Sequence, residues 1–306
     1  MKFLIVLALA AVAYGRNVEP VDQIRVVDSI TEQLSAEGYI ENYAIPLAEE
    51  IRKAEEEMSQ NRIVGGTPSS LGQFPYQAGL LAEYAGISGT GVCGGSLVNP
   101  TRVITAAHCC LCDGRNQAFR FTVVLGSVML FSGGTRIQST EVVLHPNWRP
   151  TIIRNDVAVI YLPTPVAYSG KSTIGPIGLP SGAELIQHFA GTPAVASGFG
   201  LTSNGGSITA TQTLSHANLN IITNAICSLA FPLNLHSTNI CTSGRGGTST
   251  CRGDSGGPLV ITNNNRQVLV GITSFGSGIG CDAGMPAAFA RVTSFMSFFN
   301  QHNIFA

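Results

Sequence analysis

After residue 62 the chain alternates short β-branched apolar runs with Gly, Pro, Asn and Ser. Examples are Thr122-Val-Val-Leu125, Val157-Ala-Val-Ile160 and the run from Val268 to Thr273. Runs of this length, punctuated this way, predict the strands of an all-β sandwich or barrel. Near residue 292 the period changes. Val292, Phe295, Met296 and Phe299 fall at i, i+3, i+4 and i+7, which predicts an amphipathic helix packed on the body. The stretch before residue 62 has another texture. Ala48 to Met58 is rich in helix formers, with Glu and Arg or Lys at helical spacing, and reads as a helix or as an acidic leader only partly helical. At the start, Met1-Lys2 followed by a dozen apolar residues has the layout of a secretory signal peptide and is too short to span a bilayer. Small residues place signal cleavage after Ala13 or Gly15.

Composition sharpens the boundary near residue 62. The whole chain of 306 residues has a formal charge of −1, which offers no electrostatic case for nucleic acid. That total hides an asymmetry. Residues 16–62 hold eleven of the eighteen acids, whereas residues 63–306 carry eleven basic against seven acidic residues, a net charge of +4. The expected organisation is a signal peptide over 1–15, an activation propeptide over 16–62 and a main domain over 63–306. All eight cysteines lie after residue 92, and an even count in an exported chain points to disulfides. No second Cys/His cluster accompanies Cys109-Cys110-Leu111-Cys112, so no metal site and no cofactor are expected.

Three short motifs carry chemistry: Thr105-Ala-Ala-His-Cys109, Asn155-Asp-Val-Ala-Val-Ile160 and Cys251-Arg-Gly-Asp-Ser-Gly-Gly-Pro258. A serine hydroxyl is a poor nucleophile until an imidazole takes its proton. That imidazole in turn needs a carboxylate to fix its tautomer and stabilise its cation. Glycines on either side of a serine let the backbone turn so that amide hydrogens face a developing oxyanion. Each motif alone has a bland reading, as a buried structural histidine, an ordinary turn or a glycine-rich loop. All three together point to acyl transfer.

With these motifs, and with Ile63-Val-Gly-Gly66 directly after Arg62, residues 63–306 resemble the trypsin/chymotrypsin family of serine proteases, most nearly the digestive chymotrypsins of caterpillar midgut. The resemblance implies two packed antiparallel six-stranded β-barrels, about 63–170 and about 186–306, with a C-terminal helix. It implies a catalytic triad of His108, Asp156 and Ser255, an oxyanion hole from the amides of Gly253 and Ser255, and support of Asp156 by Ser274. It also implies activation by cleavage after Arg62, the new amine of Ile63 pairing with Asp254, and the disulfides Cys93–Cys109, Cys227–Cys241 and Cys251–Cys281. Cys110 and Cys112 fall outside that pattern; they could bond to each other, compete with Cys109 for Cys93, or stay free. The 16–62 segment contains no Cys to tether it and is expected to leave once cut.

By the same resemblance, Ser249 forms the base of the specificity pocket, with Gly276 and Ala287 on its walls. An uncharged base cannot recruit Lys or Arg by charge. Ala287, where the family usually has glycine, narrows the pocket slightly, so cleavage after Phe, Tyr, Leu or Met is expected. Asp282, the nearest acid, reads as a solvated loop residue. Ten Arg against one Lys after residue 62 suit an alkaline gut, because Arg keeps its charge where Lys loses it. The expected protein is a secreted monomer of the gut lumen that meets protein and peptide substrates, an activating trypsin-like protease and protein protease inhibitors. No contact with nucleic acid or membrane is expected. An elastase-like or collagenase-like protease is the alternative within the class, and a catalytically silent binding homologue the alternative outside it. A lipase or esterase reading of Gly253-Asp-Ser-Gly-Gly257 fails because its serine comes last in the triad order and lacks strand–helix alternation around it. His145, His188, His216, His236 and His302 have no motif partners and default to surface or loop positions.

Overall fold

The computed structural model describes residues 35–60, 69–111, 117–168, 172–203 and 213–304, apart from the side chains of 58–60. Arg62, Ile63 and Cys112 lie outside them, as does the 1–15 segment. Strands β1 (Gln77–Tyr84), β2 (Thr90–Asn99), β3 (Arg102–Thr105), β4 (Ala118–Leu125), β5 (Thr135–Ser139), β6 (Glu141–Leu144) and β7 (Ala158–Tyr161) form one antiparallel sheet in the order β5-β4-β1-β2-β3-β7-β6. Strands β8 (Pro193–Gly198), β9 (Ser215–Ile222), β10 (Asn239–Thr242), β11 (Pro258–Asn263), β12 (Arg266–Phe275) and β13 (Ala287–Arg291) close into a six-stranded barrel.

The second half matches the expected barrel; the first differs in one respect. Its sheet has seven strands and does not close by hydrogen bonds. The two edge strands, β5 and β6, are consecutive and separated by Thr140 alone. At the break the Ser139 hydroxyl donates to Tyr161 O at 2.6 Å, replacing a ladder contact with a side-chain one. The sheet therefore curls almost shut, with one bent segment serving both edges.

The C-terminal turn of helix begins as a 3₁₀ stretch, Val292–Phe295, and continues as an α-helix over Met296–Gln301. Val292, Phe295 and Phe299 are buried, as their spacing predicts. Past this helix the chain is gripped by the first sheet: the Asn99 side-chain amide donates to Asn303 O and Ile304 O at 3.0 and 2.9 Å. His145, in the loop after β6, is half-buried against Phe295 and Phe298, and His216 is an exposed position of β9 beside Phe74.

The stretch before residue 62 is helical. A π-turn, Ile40–Ala44, runs into α1 (Ile45–Gln60). Its apolar side buries Ile40, Ala44, Leu47, Ala48, Ile51 and Ala54, and Ile40, Leu47 and Ile51 join the core of the first sheet. Burial of an aliphatic side chain of this size contributes roughly 1.5–3 kcal/mol, so the segment is part of the fold and no loose leader.

Candidate active site

The two barrels meet closely because their contacting strands lack side chains at the seam. Gly256 has φ +78°, and a Cβ there would stand 2.2 Å from Thr105 Oγ1 and 2.5 Å from Gly94 O. A hydrogen bond from Gly94 N to Ser255 O, 2.7 Å, crosses the seam. Thr105 Oγ1 donates to Gly94 O at 2.8 Å and fixes the end of β3 just before the 3₁₀ turn Ala107–Cys109 that carries His108.

Asp156 comes from the other side of that strand pair. Asn155 takes the left-handed conformation, φ +59°, which Asn tolerates better than most residues, and Asp156 follows immediately before β7. Its carboxylate accepts three hydrogen bonds: 2.9 Å from His108 N, 2.7 Å from His108 Nδ1 and 2.6 Å from Ser274 Oγ. An ionised carboxylate only accepts, so the imidazole proton sits on Nδ1, and Nε2 is the ring nitrogen that can serve as a base. Both side chains are almost wholly buried, which keeps water from competing for these bonds. Ser274 reaches Asp156 because β12 slips register there. Thr273 pairs with Phe289 and Phe275 with Ala288, so Ser274 is the extra residue of a β-bulge. Bulges of this kind re-aim a side chain beside functional sites.

We expect Ser274→Ala to lower kcat/KM toward a peptide substrate about tenfold or more, since a lost hydrogen bond to a buried charge costs about 1.5–3 kcal/mol.

Ser255 and His108 open onto one cavity of about 190 Å³. Ser249, Gly276 and Met285 contribute to its far wall. The loops on either side of this wall are tied by the Cys251–Cys281 disulfide. A Cβ on Gly276 would meet no atom within 4 Å, so that wall stays open. Ala287 is not among the residues that line the cavity. The alternation of β13 turns it, with Phe289, into the apolar core of the second barrel, and Pro286 stands at the wall in its place. Asp282 is exposed on the loop after Cys281.

The three expected disulfides are formed, at 2.00, 2.04 and 2.06 Å. Cys110 is a free, buried thiol whose pKa burial pushes upward, helped by the nearby Asp156 charge. The grouping of Cys93, His108 and Cys109 offers no metal site, since the two sulfurs are bonded to each other.

Asp254 is half-buried, with its carboxylate turned inward. It accepts from Cys251 N at 2.9 Å and Gly200 N at 3.0 Å, yet desolvation still pushes its pKa up to about 6. Beside it lies a second cavity of about 220 Å³, bounded by Ser197, Gly198 and Ser215.

A buried Asp–His pair, a serine at the same opening and a glycine-rich turn around that serine define a serine hydrolase site. Residues 63–299 match the trypsin family model, and the chain belongs to that family. It is a serine endopeptidase. Among its relatives, a collagenase of Hypoderma lineatum is 36% identical over 80% of this chain and 89% of that protein. Brachyurin of Leptuca pugilator is 38% identical over 76% and 95%. Chymotrypsin-like elastase family member 1 of Bos taurus is 33% identical over 78% and 88%. A solved HL collagenase structure superposes with a TM-score of 0.69 at 37% identity, over 78% of this chain and 98% of that one.

Sequence reasoning missed one group at this site. Ser35, Ala36, Glu37, Tyr39, Asn42 and Tyr43 also border the cavity. Nothing in their local pattern signals it, because their partners are scattered from His108 to Arg252.

Proposed function

We propose that the protein is a secreted zymogen which, once cut between Arg62 and Ile63, hydrolyses proteins after large apolar residues. In this reading Ser255 Oγ attacks the scissile carbonyl while His108 Nε2 takes its proton. His108, held by Asp156, passes that proton to the leaving amine, and water repeats the sequence on the acyl-enzyme. The amides of Gly253 and Ser255 serve the oxyanion. The new Ile63 ammonium would enter the cavity beside Asp254 and pair with it, ordering the turn that holds those amides. A trypsin-like protease would make the first cut, and protein inhibitors of this class would act on the open cleft.

The observation that supports the substrate preference is that Ser249, which the family resemblance puts at the pocket base, borders the cavity. Ser249 is uncharged, Asp282 is not among the residues that line the cavity, and the one acid that is, Glu37, belongs to the segment before the cut. Assays of the cleaved enzyme on peptides differing only in the residue before the scissile bond should rank Phe, Tyr, Leu and Met above Lys and Arg. A preference for Lys or Arg would overturn this reading. A broader, collagenase-like or elastase-like profile is the second reading, favoured by the likeness to a collagenase and to an elastase family member; cleavage after Ala or Val at comparable rates would select it. Labelling of Ser255 by an organophosphorus reagent excludes a silent homologue. The Arg-rich surface supports work in an alkaline gut lumen, and activity should persist above about pH 9, where a free α-amino group is already neutral.

A further inference from the structure

We infer that residues 35–60 are a built-in inhibitor, a folded lid on the catalytic cleft that stays bound non-covalently after the Arg62–Ile63 bond is cut. The inference rests on the protease reading above and departs from the expectation that the segment simply leaves. Four contacts put the lid on the catalytic machinery and not merely on the body. The Tyr39 ring meets the His108 imidazole edge-on, with centroids 4.7 Å apart and planes at 86°. Leu47 presses on the oxyanion turn: a Cβ built on Gly253 would stand 2.6 Å from Leu47 Cδ2. The Tyr43 ring lies 4.3 Å from the Arg252 guanidinium carbon, a cation–π contact beside the same turn. The fourth is the cavity itself, whose near wall the lid completes. A substrate chain could not reach Ser255 past His108 while Tyr39 occupies that approach.

The lid is anchored at both ends. Ala36 N donates to Pro150 O at 2.9 Å, next to Ile153, whose φ of +47° is rare for a β-branched residue. At the other end the buried Glu55 carboxylate takes Leu130 N at 2.5 Å and Phe131 N at 2.9 Å. Ile40, Leu47 and Ile51 are buried between these anchors. None of these contacts involves residues 61–68, so cutting after Arg62 leaves all of them intact. What the cut changes is the binding order: a tethered contact becomes an association of two chains, sensitive to dilution.

The full chain tests this. It is cut with limiting trypsin, run on a sizing column without denaturant, and assayed on a small peptide anilide. The fragment ending at Arg62 should co-elute with residues 63–306, and specific activity should rise about tenfold or more on dilution. Tyr39→Ala and Leu47→Asp proteins, checked for an intact trypsin-resistant core, should be fully active without dilution. Peptide 16–62 added back to stripped enzyme should inhibit competitively. Separate elution together with concentration-independent activity would overturn the lid, as would trypsin cutting at Arg52–Lys53 as fast as at Arg62. If stripped enzyme itself neither labels at Ser255 nor turns over substrate, the protease reading fails and not the lid alone.

Discussion

Ser255→Ala in the Arg62-cleaved enzyme should lower kcat on a peptide anilide by four to six orders of magnitude, with KM nearly unchanged. The hydroxyl makes no contribution to substrate binding that a methyl removes, but without it no acyl-enzyme forms. Asp156→Asn should cost roughly 10⁴-fold for a different reason. Three donors converge on the Asp156 carboxylate: His108 N, His108 Nδ1 and Ser274 Oγ. An amide has one accepting oxygen, so its NH₂ would face at least one of these donors. The imidazole would relieve the clash by moving its proton to Nε2, where it can no longer act as a base. Steady-state kinetics over pH 6–10 check both variants. A Ser255→Ala protein within tenfold of wild type would remove Ser255 from the role of nucleophile.

Cutting the Arg62–Ile63 bond should raise the melting temperature at pH 7 by about 5–10 °C, and the gain should vanish in Asp254→Asn. The buried Asp254 carboxyl has a pKa of about 6 in the uncut fold against an ordinary 3.8. Below about pH 4 the group is protonated whether the chain is folded or not, and burial carries no charge penalty. As pH rises through 6 the unfolded chain ionises first, so the uncut protein loses about 3 kcal/mol and remains at that lower level above pH 6. An ammonium placed beside the carboxylate reverses this loss, and for a domain of this size about 3 kcal/mol corresponds to the stated shift. Asn at this position stays neutral, so the uncut variant should lack the Asp254 share of the stability loss between about pH 4 and 6. The cut variant should lose activity by two to three orders of magnitude, the equivalent of the 3–5 kcal/mol that breaking a buried pair costs. Calorimetry against pH, with and without the cut, separates these outcomes.

The site was legible where chemistry forces residue types into short spacings. His108, Asp156 and Ser255 each sit in a motif of fewer than ten residues, and the structure brings His108 and Asp156 into contact and Ser255 to the same cavity. The C-terminal helix was legible from its period, whereas the composition of residues 48–58 left a helix and a partly helical leader both open, and the structure forms a helix over Ile45–Gln60. Other features depend on partners distant in sequence. Ser274 reaches Asp156 only because β12 slips one residue against β13. Ala287 turns into the barrel core because strand alternation after Pro286 decides its side, which residue identity does not reveal. The break at Thr140 depends on where Ser139 finds Tyr161. The lid was the least legible of all, since Tyr39 and Leu47 meet His108 and Gly253, residues more than sixty and two hundred positions away.

Much of the far wall of the cavity comes from loops between the strands of the second barrel. Residues 244–251 lie between β10 and β11 and residues 276–286 between β12 and β13, clasped by one disulfide. Few of their side chains belong to the apolar cores. A change at Ser249 or Met285 should therefore alter the cavity lining with little effect on whether the chain folds. Selectivity in this chain is thus free to drift, or to be engineered, faster than the architecture that supports catalysis. A library confined to these two loops should yield folded, Ser255-reactive proteins at high frequency and with widely different diets.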